Sequence, residues 1–114
     1  FIIALKRELG SGKTAFVRGF LRAKGIKGSI TSPTFTLIKR YPLKNGLTAF
    51  HMDAYRLKLT EELKSLRFEE ILDNPKNILL IEWPERIWKR IPKHAVTIKF
   101  MHGKNEKERI IEIL

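Results

Sequence analysis

The opening stretch "FIIALKRELGSGKTAFVRGFL", residues 1–21, constrains the fold more than any other part of the chain. Its first five residues, "FIIAL", are short, apolar and partly β-branched, as a strand buried on both faces of a parallel sheet should be, and glycines follow close behind. From about Lys13, the residues Phe16, Val17, Phe20 and Leu21 recur at helical spacing, and Gly25 supplies a C-terminal stop. The order is strand, glycine loop, helix.

A loop that cradles a polyphosphate needs converging backbone N–H groups, a lysine that reaches the outer phosphates, and a hydroxyl for magnesium. Gly10, Gly12, Lys13 and Thr14 supply those parts, within a candidate contact stretch of Leu9, Gly10, Ser11, Gly12, Lys13, Thr14 and Ala15. Glycine permits close backbone approach, and a helix starting at Lys13 adds its N-terminal dipole to the anion site. One position departs from GxxxxGK[ST]: Arg7 stands where the first glycine is expected. A side chain held there at positive φ costs about 1–2 kcal/mol and shifts the loop or covers the phosphates; alternatively it adds a cation to the site. The plain alternative is a glycine turn that only joins strand to helix.

Further along, the Ser/Thr-rich "SITSPTF" reads as a loop. "FTLIKRY" and "LTAFHMD" flank "PLKNG", whose Asn45-Gly46 pair marks an antiparallel hairpin. Thr60 can cap a helix that has Glu61 and Glu62 in its first turn, and "FEEILD" reads as a second short helical piece. "NILLIEW" is a continuous apolar strand expected at the centre of the sheet, and Pro84 behind it fits the first turn of a helix, "PERIW". "HAVTIKF" and "ERIIEIL", separated by the turn-prone "HGKN", read as a closing antiparallel pair.

Two acids close apolar strands, Asp53 and Glu82. Ligands of open α/β sheets gather outside the carboxyl ends of the strands, so both acids are candidates to share a site with the glycine loop. One of them would hold metal-bound water and the other would position the attacking water. The plain readings are an arginine-paired acid at Glu82 and a turn or helix cap at Asp53. His51 and Asp53 lie two apart on a strand and share a face, but no third transition-metal ligand is apparent; His94 and His102 sit beside turns and read as surface residues. GxSxG and HExxH are absent, so neither a serine hydrolase nor a zinc protease is indicated.

At 114 residues the chain has room for one domain, expected to span 1–114, and its start at Phe1 without a methionine leaves an upstream piece as an expectation. The longest apolar runs fall far short of a membrane span, and no cysteine is present for disulfides or thiolate metal sites; a cytoplasmic home fits. The net charge of +11 is uneven: residues 1–57 carry 11 Lys and Arg against Glu8 and Asp53, a balance of +9, and residues 58–114 carry 12 against 10, a balance of +2. The first half therefore suits a polyanion, nucleotide or RNA, although lysine also serves as an ordinary solubilising residue.

The blocks "ELGSGKTAFVRGFL", "TSPTFTLIKRY", "FHMDAYRL" followed by "EEL", and "LLIEWPER", in this order over most of Leu5 to Arg86, resemble the TsaE family of small bacterial P-loop ATPases that act in tRNA modification. The resemblance implies an α/β fold: a P-loop NTPase-like three-layer sandwich whose mixed sheet has a parallel centre and antiparallel hairpins. It also implies a weakly hydrolysing ATPase that uses ATP and Mg2+ and works with TsaB and TsaD, the latter carrying the transfer of threonylcarbamoyl to tRNA adenosine. By the same resemblance Gly10 to Thr14 hold the phosphates, with Lys13 also serving catalysis. Thr14, Asp53 and Glu82 surround magnesium, and Glu82 assists water attack. Thr31 to Phe35 form a switch-like loop, and Trp83 lies near the nucleotide or the partner surface. The family normally has glycine at the position of Arg7, and a helix before the first strand. A small-molecule kinase, or a basic RNA- or protein-binding module with an impaired phosphate loop, remains an open alternative.

Overall fold

The structure, a computed structural model, describes residues 1–7, 13–28, 30, 38–57, 62–105 and 108–114. Among these, six strands form one mixed sheet: β1 (Ile2–Arg7), β2 (Ile38–Pro42), β3 (Thr48–Asp53), β4 (Asn77–Glu82), β5 (Val96–His102) and β6 (Arg109–Ile113). Their spatial order is β2-β3-β4-β1-β5-β6. The four inner strands run parallel, and β2 and β6 are antiparallel edges. The apolar runs "IIAL" and "ILLI" thus occupy the middle, where both faces are covered, as the sequence predicts.

Alternation along the strands divides the core in two. Ile3, Leu5, Leu80, Ile98 and Phe100 face helix α1 (Lys13–Ala23) and pack on its Val17 and Leu21. Ile2, Met52, Leu79 and Ile81 face the other way, onto Leu63 of α2 (Glu62–Ser65), Phe68 of α3 (Phe68–Asp73) and Ile87. The result is the three-layer sandwich of the sequence expectation.

Helix α1 buries Val17 and Leu21 one turn apart, with Phe16 and Phe20 alongside them, their rings stacked at 6.3 Å. It ends where Gly25 takes φ 96, with the Gly25 N–H donating to the Arg22 carbonyl and the Ile26 N–H to the Leu21 carbonyl. That is the two-bond arrangement a left-handed glycine makes possible, and Ile26 closes it by packing on the α1-side core. Asn45 and Gly46 both have positive φ, and the Leu47 N–H closes on the Lys44 carbonyl at 3.3 Å. This is the turn that the right-handed twist of paired strands favours; the strands beyond it pair Tyr41 with Ala49 and Pro42 with Thr48, one residue off the register of a two-residue loop, with the Leu43 N–H donating to the Leu47 carbonyl.

Three features differ from expectation. The segment "PERIW" is a 3-10 stretch over Pro84–Arg90, broken at Ile87 (φ −133), instead of an α-helix; the break accompanies full burial of Ile87 while Trp88 and Lys89 stay exposed. Strand β5 begins at Val96, leaving His94 and Ala95 in the preceding turn. Strand β6 pairs as expected, but Ile110, Ile111 and Ile113, which point to both of its faces, are all exposed, because among the described elements β6 makes extensive contact with β5 alone. Thr60 and Glu61 lie outside the described residues. No described helix is long and apolar enough to cross a membrane.

Candidate functional site

Three neighbouring strands, β3, β4 and β1, end side by side in Asp53, Glu82 and Arg7. Asp53 pairs in register with Glu82, and Glu82 with Leu5. Register partners on parallel strands present their side chains to the same face. Leu5 belongs to the α1-side core, so both acids face the α1 layer. The first turn of α1 lies at this same edge: Phe16 meets Phe100 edge-on, with ring centroids 5.5 Å apart, and Phe100 pairs in register with Arg7. The start of the helix at Lys13, Thr14 and Ala15 therefore shares one edge and one face of the sheet with Asp53 and Glu82. Leu9, Gly10, Ser11, Gly12 and Thr31 lie outside the described residues.

Asp53 is half-buried, and its Oδ1 accepts the Tyr55 N–H at 3.1 Å, so it caps the turn that follows β3. Glu82 is 3% exposed. Its Oε2 meets Nε2 of His51, which is 2% exposed. For the paired-acid alternative at Glu82, the described residues show a histidine partner, His51. His51 was readable as a residue sharing the face of Asp53; its partner was not, because that depends on how β3 and β4 align. His94 and His102 are exposed, as expected.

Trp83 turns the chain directly after Glu82, with φ 58 and ψ 53 in the left-handed region. Its side chain leaves the α1 face and packs against the opposite core. There the ring lies 5.0 Å from that of Tyr55, and the Arg86 guanidinium stands 5.8 Å from the Tyr55 ring while donating to the Leu57 carbonyl at 2.7 Å. Tyr55 and Arg86, which the sequence reading quoted only within longer blocks and gave no role, brace the corner that carries Glu82.

The described residues contain no set of three His, Asp or Glu side chains arranged for a metal. That is compatible with magnesium, which takes oxygen donors and commonly uses one or two carboxylates, with water and substrate phosphates completing its shell. The adjacent carboxylates of Asp53 and Glu82 fit such a donor set.

A parallel-centred sheet with acids at its carboxyl edge, facing the helix that follows the first strand, defines the P-loop NTPase-like α/β class. Comparison with known proteins narrows this. The family described as "Threonylcarbamoyl adenosine biosynthesis protein TsaE" matches residues 1–111, and the chain belongs to that family. It is 39% identical over 97 residues to the tRNA threonylcarbamoyladenosine biosynthesis protein TsaE of Treponema pallidum, covering 85% of this chain and 70% of that one. The same-named Bacillus subtilis protein is 35% identical over 109 residues (94% and 66% covered), and that of Rickettsia conorii 44% over 97 residues (84% and 51%). The crystal structure of Bacillus subtilis YdiB superposes with a TM-score of 0.67 at 31% identity, covering 96% of this chain and 64% of that one. The chain thus spans between about half and 70% of the length of these relatives.

Proposed function

We propose that the chain is an ATP-binding, weakly hydrolysing subunit of the machinery that makes threonylcarbamoyladenosine in tRNA, acting with TsaB and TsaD in the cytoplasm. Family membership supports the pathway. The observation that carries the chemistry is the in-register pair of half-buried Asp53 and buried Glu82, side by side on the face and edge where α1 begins. In this reading the backbone around Gly10 and Gly12 and the ammonium of Lys13 bind the phosphates. Thr14, Asp53 and Glu82 hold Mg2+, which when bound neutralises charge on the phosphates. Ser11, Leu9 and Ala15 line the loop, Thr31 belongs to the switch-like segment, and Trp83, at the corner behind Glu82, lies near the nucleotide or the partner surface. Glu82 orients water toward the terminal phosphate, and its burial excludes competing solvent.

Glu82→Gln tests this. The amide keeps the shape and loses the charge, so ATP binding is retained while hydrolysis falls; unchanged turnover would remove Glu82 from the mechanism. A second reading, a basic binding module with a non-working loop, draws on the +9 balance of residues 1–57 and on Arg7. It requires polyanion binding that weakens steeply with salt and ignores Mg2+.

A further inference from the structure

His51 is a buried polar residue that the reading above does not use. It lies on β3 two residues before Asp53 and pairs in register with Leu80, so its ring sits one step inside the carboxyl edge, on the α1 face, beneath Glu82 of the next strand. Both side chains are 3% exposed, and Nε2 is in contact with Glu82 Oε2. Nδ1 is buried without a hydrogen-bond partner. The two nitrogens are therefore unequal. A hydrogen on Nδ1 would be a buried donor with no acceptor, which costs about 1–3 kcal/mol, whereas a hydrogen on Nε2 gives the carboxylate a donor and leaves only a lone pair at Nδ1.

We infer that His51 is a positioning residue: its Nε2–H holds one oxygen of Glu82 and fixes the carboxylate's orientation at the strand end. A carboxylate that must orient water needs a fixed rotamer, and buried donors behind such groups commonly set it. Phe, Leu or Met would fill the same space in an apolar core without placing a donor against Glu82. The inference rests on the reading of Glu82 as the water-orienting residue.

Two measurements test it. The first needs no nucleotide: 15N spectra of the imidazoles of the free protein. The chain has three histidines, and His51→Gln removes one set of signals and so assigns it. We expect a single Nε2–H tautomer for His51 that is lost in Glu82→Leu; an Nδ1–H tautomer, or a mixture of the two tautomers, overturns the proposal. The second is hydrolysis of MgATP. His51→Leu is expected to lower kcat by about 10–100-fold with KM changed by less than about twofold, and His51→Gln, whose amide nitrogen can occupy the Nε2 position, to recover most of the loss. Leucine and glutamine variants with equal kcat, or a leucine variant with wild-type kcat, would overturn it. Should His51→Leu fail to fold, the tautomer measurement and His51→Gln still decide. Glu82→Gln, with His51 intact, separates the two readings: wild-type turnover there removes the role of Glu82 itself, whichever tautomer His51 shows.

Discussion

Trp83 offers a test of the local geometry in which two substitutions remove the same ring and differ only in backbone freedom. Its φ of 58 lies in the left-handed region, where a residue bearing a Cβ pays about 1–2 kcal/mol and glycine pays nothing. Both Trp83→Gly and Trp83→Ala lose the packing against Tyr55, whose ring is 5.0 Å away, so both fall below wild type. At most positions glycine is worse than alanine by about 0.4–1 kcal/mol, because it leaves the unfolded chain more freedom. Here the left-handed term exceeds that loss, and Trp83→Gly is expected to be the more stable variant by about 0.5–1 kcal/mol, a few degrees in Tm for a chain of this size. Urea unfolding followed by circular dichroism measures the difference, with equal m-values for the two variants confirming that it reflects stability. An alanine variant as stable as the glycine variant, or more so, would refute the left-handed corner after Glu82.

Other outcomes follow from packing and from the metal donors. A Cβ at Gly103 would meet Cβ of Glu108 at 2.4 Å and its backbone carbon at 3.0 Å, so Gly103→Ala is expected to cost about 1–3 kcal/mol, read as a lower urea midpoint; an unchanged midpoint would contradict the close approach of the β5–β6 turn. Leu80 is fully buried between α1 and the sheet, and Leu80→Ala should cost about 2–5 kcal/mol by the same measurement, with a loss under about 1 kcal/mol counting against the packing of α1 on β4. Chelation of Mg2+ should weaken ATP binding in wild type and have a smaller effect in Asp53→Asn, as read by titration calorimetry; equal sensitivity would take Asp53 out of the metal shell.

The sheet centre was legible because "FIIAL" and "NILLIEW" are short continuous apolar runs bounded by turn signals, the pattern of strands covered on both faces, and the β2–β3 turn because Asn45-Gly46 suits two successive positive φ values. Asp53 and Glu82 could be named as strand-end acids, yet their adjacency could not, since it depends on which strands neighbour each other and in what register. The His51–Glu82 contact is hidden for the same reason: the residues are 31 apart in sequence and meet diagonally across two parallel strands. The left-handed Trp83 has no sequence signal at all, because a bulky aromatic is a poor choice for that conformation and tertiary packing against Tyr55 and the second core overrides the preference. The 3-10 segment after Pro84 was missed because proline at a helix start is equally compatible with either helical form.

The central claim is that the loop preceding α1, with Lys13, holds the phosphates of ATP beside Glu82 and Asp53. Titration of a fluorescent ATP analogue with Mg2+ into wild type, Lys13→Ala and the exposed-lysine control Lys27→Ala tests it most directly. Loss of a charge-assisted contact of about 1.5–3 kcal/mol predicts roughly 10–100-fold weaker binding for Lys13→Ala and near wild-type binding for Lys27→Ala. Equal affinity of Lys13→Ala and wild type, or equal losses at both lysines, would contradict the claim.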